Sequence, residues 1–283
     1  MSRLGLGTVQ FGLPYGVANR TGQVSMADVE AILDRARSNG IDLLDTAIGY
    51  GDSESVLGKA GVSDFNIVTK LPRIQPGQVR AEVEGSLSRL GIGRLYAVLL
   101  HCPDQLTDPE GDALYAGLRQ IKEQGLTERI GISVYAPAEL DRLMVRYPLD
   151  LVQAPLNILD QRLISSGWAR RLKQTGVEIH VRSIFLQGLL LMTPEQRPGK
   201  FDRFADYWSR WQEWLRVQSL SPLAACLGYA AGVEDVDRVL FGVDGVAQLD
   251  DIVAAARTSL SVLPDWPLPV DEMLVNPGRW AEL

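Results

Sequence analysis

Leu95-Tyr96-Ala97-Val98-Leu99-Leu100-His101 is a short apolar run that ends on a polar residue. Seven more short runs follow, all but the last ending on a polar residue: Arg3–Thr8, Leu43–Asp45, Phe65–Lys70, Ile130–Ser133, Leu149–Gln153, Glu178–Arg182 and Val239–Gly242. They are short and rich in Val, Ile and Leu, as expected of parallel strands covered on both faces. Amphipathic stretches lie between them. Ser25 opens one, with Asp28 as its capping-box partner, and Gly40 closes it. Asp108 before Pro109 opens another, which Gly125 closes, and Gly91 and Gly176 end two more. Strands alternating with helices, and no linker dividing the chain, predict a closed (β/α)8 TIM barrel in which residues 1–283 form one domain. Only the run from Gly188 to Val236 exceeds the usual crossover. Its Trp208, Trp211 and Trp214 fall at helical spacing and predict one packed face of an inserted helix.

Bulk composition agrees. A chain of 283 residues suits one α/β barrel. The net charge of -7 offers no basic excess for a phosphate backbone, so nucleic acid is not expected as a partner. No apolar stretch reaches the roughly 18 residues a membrane span needs, and the N-terminus lacks the pattern of a signal peptide. Cys102 and Cys226 are too few for a disulfide framework or a zinc cluster. The expectation is a cytoplasmic protein without a metal, as monomer or small homo-oligomer.

In a barrel of this kind, function gathers at the C-terminal strand ends. Those ends read Thr8, Asp45, Lys70, His101, Ser133, Gln153, Arg182 with Ser183, and Asp244 just after the last strand. Polar groups converging on the rim of an apolar barrel make a site. Taken singly, each has a plain role: Asp45 as a helix cap, Tyr50 as a rim aromatic, Lys70 as a solvated strand end, His101 as a structural histidine. His180, inside an apolar strand, reads as packing.

Taken together, they form a pattern. Asp45 and Tyr50 lie in Leu44-Asp45-Thr46-Ala47-Ile48-Gly49-Tyr50-Gly51, Lys70 ends Ile67-Val68-Thr69-Lys70, and His101 ends Val98-Leu99-Leu100-His101. With Leu4-Gly5-Leu6-Gly7-Thr8, Gly131-Ile132-Ser133 and Gln187-Gly188-Leu189-Leu190, the chain resembles the aldo-keto reductase family over nearly its whole length. The resemblance implies an NAD(P)-dependent oxidoreductase that interconverts an aldehyde or ketone and its alcohol. It implies the family's Asp, Tyr, Lys, His tetrad at Asp45, Tyr50, Lys70 and His101. The residue types fit: carbonyl reduction needs a proton at oxygen, and a phenol is a reluctant acid unless a nearby ammonium favours the phenolate. Lys70 is expected to supply that charge and Asp45 to hold Lys70. Tyr50 is expected as general acid or base, and His101 to orient the substrate oxygen.

Cofactor contacts follow from the same resemblance. Thr8 and Asp45 are expected at the cofactor, and Ser133 and Gln153 at the nicotinamide carboxamide, although Val134 replaces the usual Asn. The loop Ser183-Ile184-Phe185-Leu186-Gln187-Gly188 is expected over the pyrophosphate, with Arg182 in place of the family's stacking aromatic. Gly242, Asp244, Gln248 and Asp251 match the adenosine end. The family resemblance points to NADP(H). Asp244 stands where a Lys or Arg usually binds the 2′-phosphate, and Gly245 replaces a Ser or Thr, which leaves NAD(H) open; Arg238 and Arg257 are the cations nearby in sequence. The substrate pocket is expected from Phe11, Tyr15, Tyr50, His101 and Tyr135, with the extra segment Leu13–Val24 and the tail holding Trp266 and Trp280 as further candidates. The opening Thr8-Val9-Gln10-Phe11-Gly12-Leu13-Pro14-Tyr15-Gly16 is similar to sugar- or polysaccharide-associated relatives, which points to a sugar aldehyde or lactol. Two rival readings stay open here: a Schiff-base aldolase using Lys70, and a nicotinamide-binding regulatory subunit with little turnover.

Overall fold

The computed structural model describes residues 3–258, 260, 262–264 and 271–283. Eight parallel strands close on themselves in chain order: β1 Leu4–Gly7, β2 Leu43–Asp45, β3 Asn66–Leu71, β4 Leu95–Leu100, β5 Thr127–Ser133, β6 Leu151–Pro155, β7 Glu178–Arg182 and β8 Arg238–Gly242. The seam is β1 on β8, with Leu4 opposite Val239 and Gly7 opposite Gly242. All eight fall within a few residues of the runs read from sequence, and β2 and β7 match them at both ends.

Two apolar layers hold the barrel. Leu43, Val68, Ala97, Leu99, Leu151 and Leu240 fill its interior. Their strand neighbours Leu44, Ile67, Val98, Leu100 and Val152 point the other way, into the layer beneath the helices. Helix Met26–Ser38 shows how the outer layer forms. Val29, Ile32, Leu33 and Ala36 make its buried stripe. The Ser25 hydroxyl accepts from the Asp28 amide at 3.2 Å and donates to the Asp28 carboxylate at 2.6 Å. Gly91 ends Val79–Leu90 in the left-handed conformation, φ 67°. One helix start is corrected: Asp108 and Pro109 lie before the helix, which runs Gly111–Glu123, because the preceding residues close a 3-10 turn over Pro103–Thr107.

The inserted run after β7 contains helix Ala205–Gln218. Trp208 and Trp211 are buried, and Trp214 stacks on Trp211 at 5.7 Å. Trp280 is buried edge-on against Phe201 and donates to the Leu274 carbonyl, so this part of the tail packs on the barrel wall; Trp266 lies outside the described residues. His180 is fully buried, but more than packing holds it: its Nε2 meets Glu178 at 2.8 Å, and Tyr96 and Arg129 bind the same carboxylate. Both cysteines are free. Among the described residues no helix is long and apolar enough to cross a membrane, and no cluster suits a metal ion.

Candidate active site

Side chains alternate along a strand, so each interior residue places the residue two positions later on the same inward face. Leu43, Val68, Leu99 and Leu151 are interior. Asp45, Lys70, His101 and Gln153 therefore stand directly above them at the C-terminal rim. The Lys70 ammonium is buried and donates to Asp45 Oδ2 at 2.6 Å, the Thr46 carbonyl at 2.8 Å and the Tyr50 hydroxyl at 3.4 Å. Each of its three protons has an acceptor. Burial penalises the charge most strongly, but the Asp45 carboxylate and the Tyr50 hydroxyl together hold the Lys70 pKa above its ordinary value. The other Asp45 oxygen accepts from Gln153 Nε2 at 2.7 Å. Asp52, not Asp45, precedes helix Ser53–Ala60 at the cap position.

Tyr50 is set by a tight turn. Its amide donates to the Ala47 carbonyl, and its own carbonyl accepts from the Ser53 amide. Gly12 presses on this turn so closely that a Cβ there would lie 1.8 Å from the Tyr50 carbonyl oxygen. The His101 ring meets the Tyr50 ring edge-on, 5.9 Å between centroids. Burial, with the nearby Lys70 and Arg182 cations, pushes the His101 pKa down to about 4. The imidazole is therefore neutral at pH 7, with hydrogen-bonding capacity but no charge.

A cavity of about 480 Å³ opens above these groups, within the usual range for a small-molecule site. Asp45, Tyr50, His101, Tyr15, Tyr135 and Arg182 line its catalytic end; Gly242, Asp244, Gln248 and Asp251 line the end at β8; Thr8, Ser183, Gln187 and Gly188 also line it. Lys70 lies beneath Tyr50. Ser133 and Gln153 are fully buried and do not line the cavity; the Ser133 hydroxyl donates to Gln153 Oε1 at 3.3 Å. Two expectations are corrected. Phe11 is fully buried in the helix-side core, because the turn Val9–Gly12 rotates it away from the cavity. Leu186 is likewise fully buried beneath its loop.

The loop after β7 is strained. Ser183, Leu186 and Gln187 have φ of 61°, 50° and 54°, and Gly188 follows at 86°. Left-handed non-glycine residues cost on the order of 1 kcal/mol or more each and concentrate at functional sites. Such alternations also turn backbone amides toward anions. Segment Leu13–Val24 crosses this loop. Gln187 Nε2 donates to the Tyr15 hydroxyl at 3.0 Å, the Ala18 amide reaches the Gln187 carbonyl, and Asn19 Nδ2 donates to Asp244 Oδ1 at 3.2 Å. The segment thus forms a strap joining the loops after β7 and β8. Burial raises the Asp244 pKa. Arg238 is removed from this end: it begins β8 and pairs with Asp42, before β2, at 2.7 Å. Arg257 is exposed and does not line the cavity.

Sequence reading does not single out Gln10, Leu223 or Ile252, which line the cavity; Asn19 and Phe185, also in its lining, fall within the expected segment Leu13–Val24 and the expected loop Ser183–Gly188. Gln10 lies within the opening motif, and its side chain covers Gly242, where a Cβ would lie 2.3 Å from Gln10 Nε2. Leu223 follows the inserted helix, and nothing local marks it.

Comparison with known proteins agrees with this fold. Residues 3–262 match a family model described as "Aldo/keto reductase family". The NADH-specific methylglyoxal reductase of Escherichia coli is 27% identical, over 92% of this chain and 91% of that protein. The L-galactose dehydrogenase of Arabidopsis thaliana is 27% identical, over 90% and 84%. Among solved structures, a glycerol dehydrogenase from Gluconobacter oxydans superposes with TM-score 0.75 at 23% identity, covering 92% of this chain and 88% of that one. At that identity the likeness bears on the fold alone.

Proposed function

The chain belongs to the aldo/keto reductase family, and on that premise we propose that it interconverts a small aldehyde or ketone and its alcohol, with Tyr50 carrying the proton. The observation that carries this reading is the Lys70 ammonium, which faces the Tyr50 hydroxyl at 3.4 Å while Asp45 and Thr46 fix it. The strained loop after β7 and the long cavity fit a dinucleotide. Bound there, a nicotinamide supplies or accepts the hydride at the substrate carbon. The chain does the rest. Tyr50 Oη donates a proton to the carbonyl oxygen in reduction and accepts it back in oxidation. Lys70 stabilises the negative charge this leaves on Oη. Neutral His101 holds the substrate oxygen against Tyr50. The aldolase reading weakens, because an ammonium with all three protons engaged and a raised pKa is a poor nucleophile. We place the protein in the cytoplasm as one domain, residues 1–283.

The test is nicotinamide oxidation, followed by absorbance, across a panel of aldehydes and sugars. Tyr50→Phe should lower turnover about a hundredfold or more while leaving cofactor affinity, read by tryptophan quenching, nearly unchanged. Near-normal turnover in Tyr50→Phe would refute the proton assignment.

NAD(H) fits the β8 end at least as well as NADP(H). Asp244 and Asp251 line it, and among the described lining residues the only Lys or Arg is Arg182, at the other end. A carboxylate accepts from a ribose 2′-hydroxyl and repels a 2′-phosphate. At about 1 kcal/mol for a surface like-charge contact, NADH should bind about five to ten times more tightly than NADPH at low salt. NADPH binding more than about tenfold tighter would show that a cation supplies a phosphate site there.

A further inference from the structure

Arg182 occupies an unusual position. It ends β7 and lines the cavity beside the groups assigned to proton transfer. Its guanidinium lies over the Tyr135 ring, 4.5 Å from the centroid. It donates from Nε to the Ser133 hydroxyl at 3.4 Å, from Nη1 to the Ser183 hydroxyl at 3.2 Å and from Nη2 to the Val134 carbonyl at 3.1 Å. Every one of these acceptors is neutral. No carboxylate among the described residues forms an ion pair with it, whereas Arg129 and Arg162, also half-buried, pair with Glu178 and Asp160. A guanidinium carries five N–H donors, so two remain beyond those three bonds. Its charge reaches across the cavity mouth: Tyr15 feels both Arg182 and Tyr50, and Arg182 helps keep His101 neutral.

This is a preorganised cation without a carboxylate partner: Asp45, the carboxylate at its own end of the cavity, is taken up by Lys70, and Asp244 and Asp251 lie at the other end. An anion entering that cavity is drawn to the catalytic end and away from Asp244 and Asp251. We infer that Arg182 recognises a negatively charged group on the substrate, so that the preferred carbonyl compound carries a carboxylate or phosphate near its reacting carbon. The inference rests on the carbonyl-reductase reading above. The guanidinium fork, held flat by Tyr135 and three hydrogen bonds, is suited to either oxyanion; Lys in its place would keep the charge and lose the fork.

The experiment compares matched substrates. Butanal is paired with 4-oxobutanoate, and glyceraldehyde with glyceraldehyde 3-phosphate, in the wild type, Arg182→Lys and Arg182→Met. The readout is the ratio of kcat/KM, charged over neutral, within each variant, which cancels any shared loss in cofactor positioning. The wild type should favour at least one charged partner by about tenfold or more, chiefly through KM, as one charge-assisted hydrogen bond allows. The favoured pair identifies carboxylate or phosphate. Arg182→Met should bring the ratio to about one, and Arg182→Lys should recover part of it. A wild-type ratio near one for both pairs overturns the proposal. So does a high ratio that survives Arg182→Met, or an Arg182→Met variant whose only change is weaker binding of the dinucleotide. If no aldehyde is turned over with either cofactor, the underlying reading has failed instead. Calorimetric titration then decides Arg182 alone: succinate binding more tightly than succinamide to the wild type but not to Arg182→Met supports the anion site, and equal binding overturns it.

Discussion

Lys70 is a charge in a place that does not normally tolerate one. It is 1% exposed, and its partner Asp45 is 5% exposed. Such a pair is weak evidence for stability, since apolar residues often serve as well, but removing one member strands the other. Lys70→Met should therefore destabilise the fold by about 3–5 kcal/mol, because Asp45 is left buried and unpaired. Adding Asp45→Asn should restore much of that stability, with Gln153 still able to bond the amide, while leaving turnover lost. Denaturant melts and rates for the two variants check this. Activity returning with stability would mean that Lys70 has only a structural part.

Gly12 shows how one element sets another. The short helix Val9–Gly12 packs on the turn that carries Tyr50, and no side chain fits between them. Gly12→Ala must push the turn away from Lys70. A displacement near 1 Å at a reacting group costs about a hundredfold in rate, so kcat should fall by that order while the far-ultraviolet spectrum stays that of a barrel. Wild-type kcat would mean that the turn yields elsewhere. The strands themselves are legible in the sequence, because a short Val-, Ile- and Leu-rich run ending in a polar residue seldom arises in a surface helix or a loop. Period-two alternation then carries Asp45, Lys70 and His101 to one rim. Phe11 is not legible in the same way: it follows a strand by only a few residues, and the helical turn that rotates it inward leaves no local mark. The helix start at Gly111 is hidden for a related reason: Asp108 and Pro109 satisfy the pattern of a cap, but Asp108 ends the 3-10 turn Pro103–Thr107 and Pro109 lies between that turn and the helix.

At the scale of the whole molecule, the cavity depends on contacts between distant parts of the chain. Gln153 is joined to Asp45 across 108 residues, and Asn19 to Asp244 across 225. Those pairings follow from barrel closure, so sequence names the participants but not their partners. That is why Ser133 and Gln153, expected at a ligand, are found in a hydrogen-bonded chain that runs from Arg182 through Ser133 and Gln153 to Asp45 and Lys70.

The strap has a consequence in time as well as in space. On the proposed reading, a dinucleotide bound from Tyr50 to Asp244 would be crossed by residues 13–24 and would depart only after Tyr15 and Asn19 had let go of Gln187 and Asp244. Residence of the dinucleotide, more than its chemistry, should then limit the cycle. The strap exposes Arg20 to solvent, so trypsin can cut there without unfolding the barrel. In stopped flow, enzyme nicked at Arg20 should release the dinucleotide about tenfold faster than intact enzyme, with loading of the site less affected. Identical release rates for nicked and intact enzyme would mean that the exit lies elsewhere. If the two rates differ as expected, protection of Arg20 from trypsin becomes a clock for how long each molecule of dinucleotide stays aboard.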